Sequence, residues 1–298
     1  MLETTAVTRR AFAKLNVFLR VQGRRADGYH ELESLVLPLS LADVVTVSPS
    51  GGLKVDVHGD SALAEFADAG GMNLALVAAL ALAETCSTAT GALVEIEKRI
   101  PVAAGLGGGS ADAAATLLAL NELWRCELDL ETLLQVGERV GSDVPALLIG
   151  EPALVRGRGE HVQPVRTSTT WWVVRPFDFP TRSPDAYRWW DEDGAPTGPD
   201  PGALLAAIEV SNVELLGHSL FNDLEAPVAA RHPEILEVKA ALIEAGALGA
   251  VMSGSGPTVV ALARHMMHAD RLAAAVPGSI VVSGPPAERS VVAPGGAG

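Results

Sequence analysis

The glycine-rich stretch from Pro101 to Ser110 has the most specific chemistry in the chain. Four of its residues between positions 105 and 109 are glycines, so the backbone can adopt conformations that other residues avoid and no Cβ blocks a ligand. A helical pattern follows, with Ser110 as the predicted N-cap and Ala111 as the first helical residue. A glycine loop before a helix N-terminus gathers unpaired N–H groups and the positive end of the helix dipole. The stretch therefore predicts a phosphate site, with a tight turn as the plainer alternative.

The loop matches neither of the two commonest phosphate-binding motifs. No Gly-Lys-Ser/Thr follows the glycines, so it is not a Walker loop. Ser110 stands where a dinucleotide-binding fingerprint needs its third glycine. The loop alone thus leaves the bound phosphate compound open.

Four other side chains could do chemistry, although each also has an ordinary structural interpretation. Lys14 lies among apolar residues of a predicted strand, where a surface lysine on an edge strand is the plainer reading. Asp143 lies in a Ser-Asp-Val-Pro turn, in which an aspartate is usually a turn or cap residue. Tyr29 and His30 follow an Asp-Gly turn and could be only part of it, or could stack on a base and hydrogen-bond it.

Alternating and helical hydrophobic patterns predict the elements that must position these residues. Predicted strands cover residues 15–21, 32–39, 43–48, 53–58, 94–100, 153–158, 171–175, 258–263 and 279–283. Predicted helices cover residues 73–84, 111–124, 129–140, 203–210, 234–246 and 266–275, with a short one at 187–190 in an irregular insertion over 176–202. Gly141 and Pro145 are expected to end the 129–140 helix. The β-α-β character of the last eighty residues indicates a small split-βαβ sheet covered by helices.

Composition restricts the partners and the compartment. The formal net charge of −14 argues against nucleic-acid and anionic-membrane partners, and it requires any phosphate site to be locally positive. Cys86 and Cys126 form no CxxC pair, so we expect no disulfide framework, no structural zinc and a reducing compartment. No signal core is visible at the N-terminus, and the longest apolar run, residues 74–83, is too short to cross a bilayer. We therefore expect a cytoplasmic protein, with two domains in 298 residues.

Three motifs in order along the chain resemble those of the GHMP kinase superfamily: Lys14-Leu15-Asn16, the Pro101–Asp112 glycine loop and the late Gly254-Ser255-Gly256 turn. Further details are similar to the branch that acts on a cytidine diphosphate-linked methylerythritol in non-mevalonate isoprenoid synthesis. They are Ala13-Lys14-Leu15-Asn16, Arg25-Ala26-Asp27-Gly28-Tyr29-His30, Gly107-Gly108-Gly109-Ser110 and Gly141-Ser142-Asp143-Val144-Pro145. The Asp-Gly-Tyr-His turn is the most discriminating of these. The resemblance extends to about residue 284.

The resemblance implies an α+β fold with two domains. Residues 1–158 would form an N-terminal ribosomal-protein-S5-domain-2-like domain that binds ATP, and residues 159–284 a C-terminal split-βαβ (ferredoxin-like) domain. Residues 285–298, rich in Pro, Gly and Ala, are expected to be a disordered tail. A monomer or a weak homodimer is expected.

The resemblance also implies roles for individual residues in an ATP-dependent kinase. Asp143 would be the general base that accepts the proton of the substrate's hydroxyl, and Lys14 would keep it ionised and contact the transferring phosphoryl group. The residues expected to bind ATP are Pro101, Val102, Ala103, Ala104, Gly105, Leu106, Gly107, Gly108, Gly109, Ser110 and Ala111, with Asn73 and Lys98 beside them. Those expected to bind the substrate are Asn16, Tyr29, His30, Thr181 and Tyr187. Tyr187 is chosen over Phe177 and Phe179 as the second aromatic ring that stacks on the cytosine of the substrate.

Three further expectations complete the interpretation. Mg²⁺ should arrive bound to ATP, because the sequence offers no dedicated acidic metal ligand. Asp112, in the first turn of the loop helix, should point away from the phosphates or act through Mg²⁺. A mevalonate or homoserine kinase, and a catalytically silent ligand sensor on the same fold, are the alternatives.

Overall fold

The computed structural model describes residues 6–59, 73–194 and 196–287. Its first sheet is built on a hairpin of two long antiparallel strands, β1 (Val7–Arg24) and β2 (His30–Pro49). β2 is one strand where two were predicted, because the interruption in its pattern is a register shift opposite β1 and not a strand end.

The remaining strands extend this sheet on both sides of the hairpin. They are β3 (Lys54–Gly59), β4 (Ala92–Lys98), β5 (Ala153–Gly157), β6 (His161–Pro164) and, after β7 of the second sheet, β8 (Phe221–Asn222). The order is β3-β4-β2-β1-β8, with β5 paired to β2 and to β6. The domain division at residue 158 stays a prediction, and β6 still belongs to the first sheet.

Among the described residues, four helices cover the first sheet. They are α1 (Leu74–Thr85), α2 (Gly108–Leu123), α3 (Leu130–Val140) and α4 (Val144–Ile149). α2 is the central helix, packed between the sheet, α1 and α4. Its middle, residues 111–120, is alanine-rich and buried on all sides, since small side chains let it approach its neighbours closely.

The second sheet has the order β11-β7-β10-β9, and its neighbouring strands are antiparallel. Its strands are β7 (Thr170–Arg175), β9 (Gly249–Met252), β10 (Val259–Ala263) and β11 (Ile280–Gly284). The helices of this part are α5 (Ser183–Asp193), α6 (Gly202–Glu209), α7 (Val213–His218), α8 (Glu225–Arg231), α9 (Glu234–Glu244) and α10 (Met266–Ala275). This arrangement confirms the predicted α+β class and the split-βαβ sheet.

β1 positions the site because its middle is buried on both faces. Every residue from position 11 to position 19 is buried, including Lys14 and Asn16. Register shifts in the ladder to β2 occur just before Lys14 and just after Asn16. Such irregularities re-aim side chains locally, and both polar side chains point into the site described below.

Two predictions about local structure are wrong. α2 begins at Gly108 with Gly107 as its N-cap, so Ser110 is a first-turn residue and not the cap. The left-handed backbone of Gly107 (φ 70°) starts the helix early, a conformation that only glycine adopts without strain. Cys86 and Cys126 form a disulfide, against the expectation that no disulfide framework is present, because Cys86 ends α1 beside the segment that follows α2.

Two other expectations bear on the ends of the chain and on the membrane. Within residues 6–59, 73–194 and 196–287, no helix has the length and apolarity needed to span a bilayer. Of the predicted disordered tail, residues 288–298 lie outside the described residues.

Candidate active site

Two adjoining cavities meet at the point where the predicted motifs converge. The larger has a volume of about 760 Å³ and the smaller of about 360 Å³. The residues that line both are Lys14, Ser110, Asp143, Ser183 and Ser255. A ligand in one cavity can therefore reach a ligand in the other across these five side chains.

Lys14 and Asp143 form an ion pair at this junction. Lys14 Nζ lies 3.4 Å from Asp143 Oδ2, and the lysine side chain is 6% exposed against 42% for the aspartate. Lys14 Nζ also donates to Asn16 Oδ1 at 2.6 Å, and Asn16 Nδ2 donates to Ser34 Oγ at 2.8 Å. Asn16 thus orients the ammonium group, and a buried lysine charge is balanced by a carboxylate that remains open to the cavity.

The glycine loop approaches Lys14 closely because Gly107 has no side chain. A Cβ at Gly107 would lie 2.9 Å from Lys14 Cγ, so close that one of the two carbon atoms would have to move. The backbone N–H of Lys14 donates to the carbonyl of Leu106 at 2.9 Å. The strand and the loop are therefore joined by a backbone hydrogen bond at the site itself.

The late glycine turn closes the same junction from the second sheet. A Cβ at Gly254 would lie 2.8 Å from Asn16 Oδ1 and 3.3 Å from Lys14 Nζ. A Cβ at Gly105 would lie 2.6 Å from the carbonyl oxygen of Ser253. The three motifs of the sequence analysis thus meet in space, and glycine is needed where they touch.

The smaller cavity lies over the glycine loop and the start of α2. Every residue predicted to bind ATP lines it except Ala111, which is buried in α2. Asn73 lies in its wall as the N-cap of α1, with its side chain accepting from Ala75 N–H at 2.8 Å. Thr181 also lines this smaller cavity, and its hydroxyl is buried without a hydrogen-bond partner.

Lys98 lies beneath the loop between two buried carboxylates. Its Nζ lies 2.5 Å from Asp43 Oδ2 and 2.8 Å from Asp112 Oδ2. Asp43 Oδ1 also accepts from the backbone N–H groups of Arg99 and Ile100 at 2.5 and 2.8 Å. Asp43 therefore fixes the strand end from which the glycine loop departs.

Asp112 has fewer partners than Asp43. Asp112 Oδ1 is buried and makes no hydrogen bond. Burial, together with the smaller effect of Asp43, raises the pKa of Asp112 to about 8 against the opposing effect of Lys98. The pKa of Lys98 is also raised, because the two carboxylates outweigh the burial of its ammonium group. With its pKa raised this far, Asp112 holds a proton at neutral pH, which limits its repulsion of an anion.

The turn with Tyr29 and His30 lies at the far end of the larger cavity. Tyr29 is 53% exposed, as expected of a ring available for stacking. His30 stacks on Tyr187, with ring centroids 4.9 Å apart and an interplanar angle of 19°. His30 Nε2 lies 2.9 Å from Asp191 Oδ1. Burial raises the pKa of Tyr187, and the charge of Asp143 contributes, so its phenol stays protonated.

The structure places the predicted substrate residues as follows. Asn16, Tyr29, His30 and Tyr187 line the larger cavity, whereas Thr181 lines the smaller one. Phe177 and Phe179 are half-buried and pack against the core of the second part of the chain, where Phe179 stacks on His232. The choice of Tyr187 over these two rings is therefore consistent with its position.

Two family models match the chain. The model described as GHMP kinases N terminal domain matches residues 73–151, and the one described as GHMP kinases C terminal matches residues 204–280. The chain belongs to the GHMP kinase family. Accordingly, it is an ATP-dependent kinase.

Several named relatives of this chain, and solved structures of other GHMP kinases, match most of its length. A protein of Symbiobacterium thermophilum named 4-diphosphocytidyl-2-C-methyl-D-erythritol kinase is 43% identical, over 83% of this chain and 87% of its own. A protein of the same name from Kineococcus radiotolerans is 41% identical, over 91% of this chain and 86% of its own. The crystal structure of a 4-(cytidine 5'-diphospho)-2C-methyl-D-erythritol kinase superposes with a TM-score of 0.76, at 37% identity over 93% of this chain and 98% of the other. The L. major mevalonate kinase, at 18% identity and a TM-score of 0.73, shows the shared fold alone.

Several residues of the site were missed from the sequence, Asp43 and Arg158 among them. Asp43 could have been noticed as a charge within an apolar strand, Leu41-Ala42-Asp43-Val44-Val45, since such a residue is rarely buried without a partner. Arg158 lines the larger cavity from the β5–β6 turn. No local pattern distinguished it from an ordinary surface arginine.

Proposed function

We propose that this kinase phosphorylates the 2-hydroxyl of 4-diphosphocytidyl-2-C-methyl-D-erythritol with ATP, in the non-mevalonate isoprenoid pathway. The observation that carries the proposal is the larger cavity, which has the Tyr29–His30 turn at one end and the Lys14–Asp143 pair at the other. A base recognised at the turn would leave its linked alcohol at the pair. The names of the relatives that cover most of the chain support the same substrate.

The chemistry asks mainly for alignment and charge neutralisation. Phosphoryl transfer through a loose transition state needs in-line reactants and cations near the transferring group. In the proposal, Asp143 accepts the proton of the substrate hydroxyl from its exposed side, and Lys14 stabilises both the carboxylate and the developing negative charge. Because Lys14 lines both cavities, its ammonium group can contact both the phosphoryl donor in the smaller cavity and the accepting alcohol in the larger one.

ATP would occupy the smaller cavity, with its phosphates over the glycine loop. Backbone N–H groups at the α2 N-terminus would supply most of the positive potential, which suits a chain with a net charge of −14. Among the described residues, no group of three or more His, Cys, Asp or Glu side chains could hold a metal ion. Mg²⁺ would therefore be held mainly by phosphates and water, with Ser110 and, once it has released its proton, the unpartnered oxygen of Asp112 as the protein donors in that wall. When bound, Mg²⁺ neutralises phosphate charge.

The alternatives differ in what they would leave unexplained. A mevalonate or homoserine kinase has no base to recognise, so the exposed Tyr29 and the adjacent His30 would have no role. A catalytically silent sensor would not need an ion pair between Lys14 and Asp143 at the junction of two cavities. The proposal includes a small-molecule substrate, a cytoplasmic location and no nucleic-acid partner.

The test is release of ADP by the purified chain. We expect turnover with ATP, Mg²⁺ and 4-diphosphocytidyl-2-C-methyl-D-erythritol, and none with mevalonate or homoserine at equal concentration. The Asp143→Asn variant serves as a control for contaminating kinases. Turnover with mevalonate or homoserine alone would replace the proposal with that kinase. No turnover with any of the three, while ATP still binds, would favour the sensor.

A further inference from the structure

Arg158 lies in the wall of the larger cavity, on the tight turn between β5 and β6. Its backbone N–H donates to Glu160 Oε2 at 2.6 Å. A Cβ at Gly159 (φ 131°) would collide with the carbonyl oxygen of Ser142, so this turn packs directly against the residue that precedes Asp143. The backbone of Arg158 is therefore held next to the Lys14–Asp143 end of the cavity.

The side chain of Arg158 reaches towards the other end. Its guanidinium carbon lies 5.1 Å from the centroid of the Tyr29 ring. A cation–π contact of this kind holds the guanidinium in place and leaves its edge N–H groups available. Arg158 therefore spans the distance between the turn at Tyr29 and the segment at Ser142.

Arg158 differs from the other cations of this cavity in having no carboxylate partner. Those others are already paired: Lys14 with Asp143, Arg24 with Asp191, and Arg188 with Asp185 and Glu192. Within the described part of the chain, Arg158 forms no ion pair with a carboxylate at 4.0 Å or less. Arg158 is thus the cation of this wall that is left for a ligand.

The nearby Asp27 does not neutralise Arg158. Asp27 accepts from the backbone N–H of Tyr29 at 3.1 Å and from Arg25 Nε at 3.2 Å. The pKa of Asp27 is lowered, first by the hydrogen bond from Tyr29 and less by the charges of Arg25 and Arg158. Its carboxylate therefore already has closer partners than Arg158.

We propose that Arg158 binds the diphosphate of the substrate and sets a preference for a nucleoside diphosphate over a nucleoside monophosphate. The inference rests on the proposed function. A cytidine diphosphate-linked alcohol with its base at Tyr29 and its hydroxyl at Asp143 places the diphosphate between these ends, along the length of the Arg158 side chain. A planar guanidinium with free N–H groups matches two phosphoryl oxygens better than a point charge does.

The test compares Arg158→Gln with Arg156→Gln. Arg156 stands two residues earlier on β5, and its Nε donates to Glu33 Oε1 at 2.8 Å outside the cavity wall, which makes it a matched control. The probes are cytidine 5'-diphosphate, cytidine 5'-monophosphate and cytidine, titrated calorimetrically against each protein. For Arg158→Gln we expect binding of the diphosphate to weaken about 10-fold or more, with a smaller loss for the monophosphate and little for cytidine. Arg158→Lys should fall in between.

Steady-state kinetics give the second readout. Arg158→Gln should raise KM for the cytidyl substrate by a similar factor, while kcat and the KM for ATP stay within about 2-fold. An equal loss for all three probes would mean that Arg158 only supports the Tyr29 ring and would overturn the inference. So would equal behaviour of Arg158→Gln and Arg156→Gln.

The same data separate the inference from the proposed function. The wild-type chain and Arg158→Gln could both turn over the cytidyl substrate and show the same preference for cytidine 5'-diphosphate over cytidine 5'-monophosphate. In that case the role inferred for Arg158 is wrong and the proposed function stands. If the wild-type chain binds none of the cytidine probes and releases no ADP with the cytidyl substrate, both proposals are wrong.

Discussion

Lys14 Nζ and Asp143 Oδ2 lie 3.4 Å apart, one on a buried strand and the other at the start of a short helix after the loop at 141–143. The pair is asymmetric, because the ammonium is enclosed while the carboxylate remains open to solvent. A substrate hydroxyl can therefore approach the carboxylate from the larger cavity without displacing Lys14. The contact also gives each residue a role that its own sequence neighbours do not indicate.

Replacing Asp143 by Asn tests its proposed role as the base. The amide has nearly the same shape but cannot accept a proton, so we expect kcat to fall by about 100-fold or more while the KM values stay close to wild type. Steady-state kinetics and calorimetric binding of ATP provide the two measurements. Near-normal turnover would exclude Asp143 as the base.

Replacing Tyr29 by Ala tests the end of the larger cavity that is proposed to bind the cytosine. Because stacking on an aromatic ring contributes about 1–3 kcal/mol per base, KM for the cytidyl substrate should rise about 10-fold or more. Tyr29→Phe keeps the ring and serves as the control, with a KM close to wild type. If the affinity for ATP falls instead, the turn belongs to the nucleotide pocket.

Long elements could be predicted because their hydrophobic periods are regular. The helices at 74–85 and 130–140 and the strand at 259–263 lie within two residues of their predicted bounds. Short elements such as α4, α7 and β8 were missed, since they contain too few residues for a period and depend on tertiary packing. Pro145 shows the difficulty: it follows the end of α3 as predicted, yet it also opens α4, where its missing N–H is not needed.

The site could be predicted in part because its pieces are local motifs. A glycine loop and an exposed Tyr29 carry recognisable chemistry in their own sequence. The buried cluster around Lys98 could not be foreseen, because Asp43 and Asp112 come from a strand and a helix that meet only in the fold. The direct stacking of Tyr187 on His30 also depends on how α5 packs across the turn, which no local pattern encodes.

Gly107→Ala should disturb Lys14 directly. A Cβ there meets Lys14 Cγ at 2.9 Å, and the φ of 70° is unfavourable for alanine, so we expect a loss of about 1–2 kcal/mol in the free energy of unfolding together with a lower kcat. Gly109→Ala is the matched control, since its Cβ would meet only Leu74 Cδ1 at 3.5 Å. Urea unfolding of both variants gives the comparison. Equal stabilities would mean that Lys14 moves aside without loss.

Asp112→Asn should change how stability depends on pH. With a pKa of about 8 in the folded chain and 3.8 as its ordinary value, Asp112 holds a proton in the folded state that the unfolded chain has released. This group therefore lowers the stability of the wild-type protein as pH rises from about 4 to about 8. Asparagine does not titrate, so the stability of the variant relative to wild type should rise across that range. Thermal unfolding from pH 5.5 to 8.5 measures it.

Asp129→Asn provides the control for that series. The pKa of Asp129 is lowered by hydrogen bonds from Thr132, so its contribution is present above its ordinary pKa and is lost only as pH falls below it. The difference between this variant and wild type should stay constant from pH 5.5 to 8.5, and asparagine remains a good N-cap. A constant difference for Asp112→Asn as well would mean that Asp112 is ionised throughout.

Removing the disulfide should lower stability and leave the chemistry intact. The bond joins the C-terminal end of α1 to the segment after α2, whereas Asn73 and Gly108, at the starts of these helices, line the smaller cavity. The 40-residue separation of the cysteines corresponds to about 4 kcal/mol by loop-closure entropy. We expect a Cys86→Ser/Cys126→Ser variant to show a free energy of unfolding lower by about that amount, with KM for ATP unchanged. A reductant should lower the stability of the wild-type chain alone. Two free thiols in the denatured, unreduced wild-type protein would instead support the reducing compartment expected from the sequence.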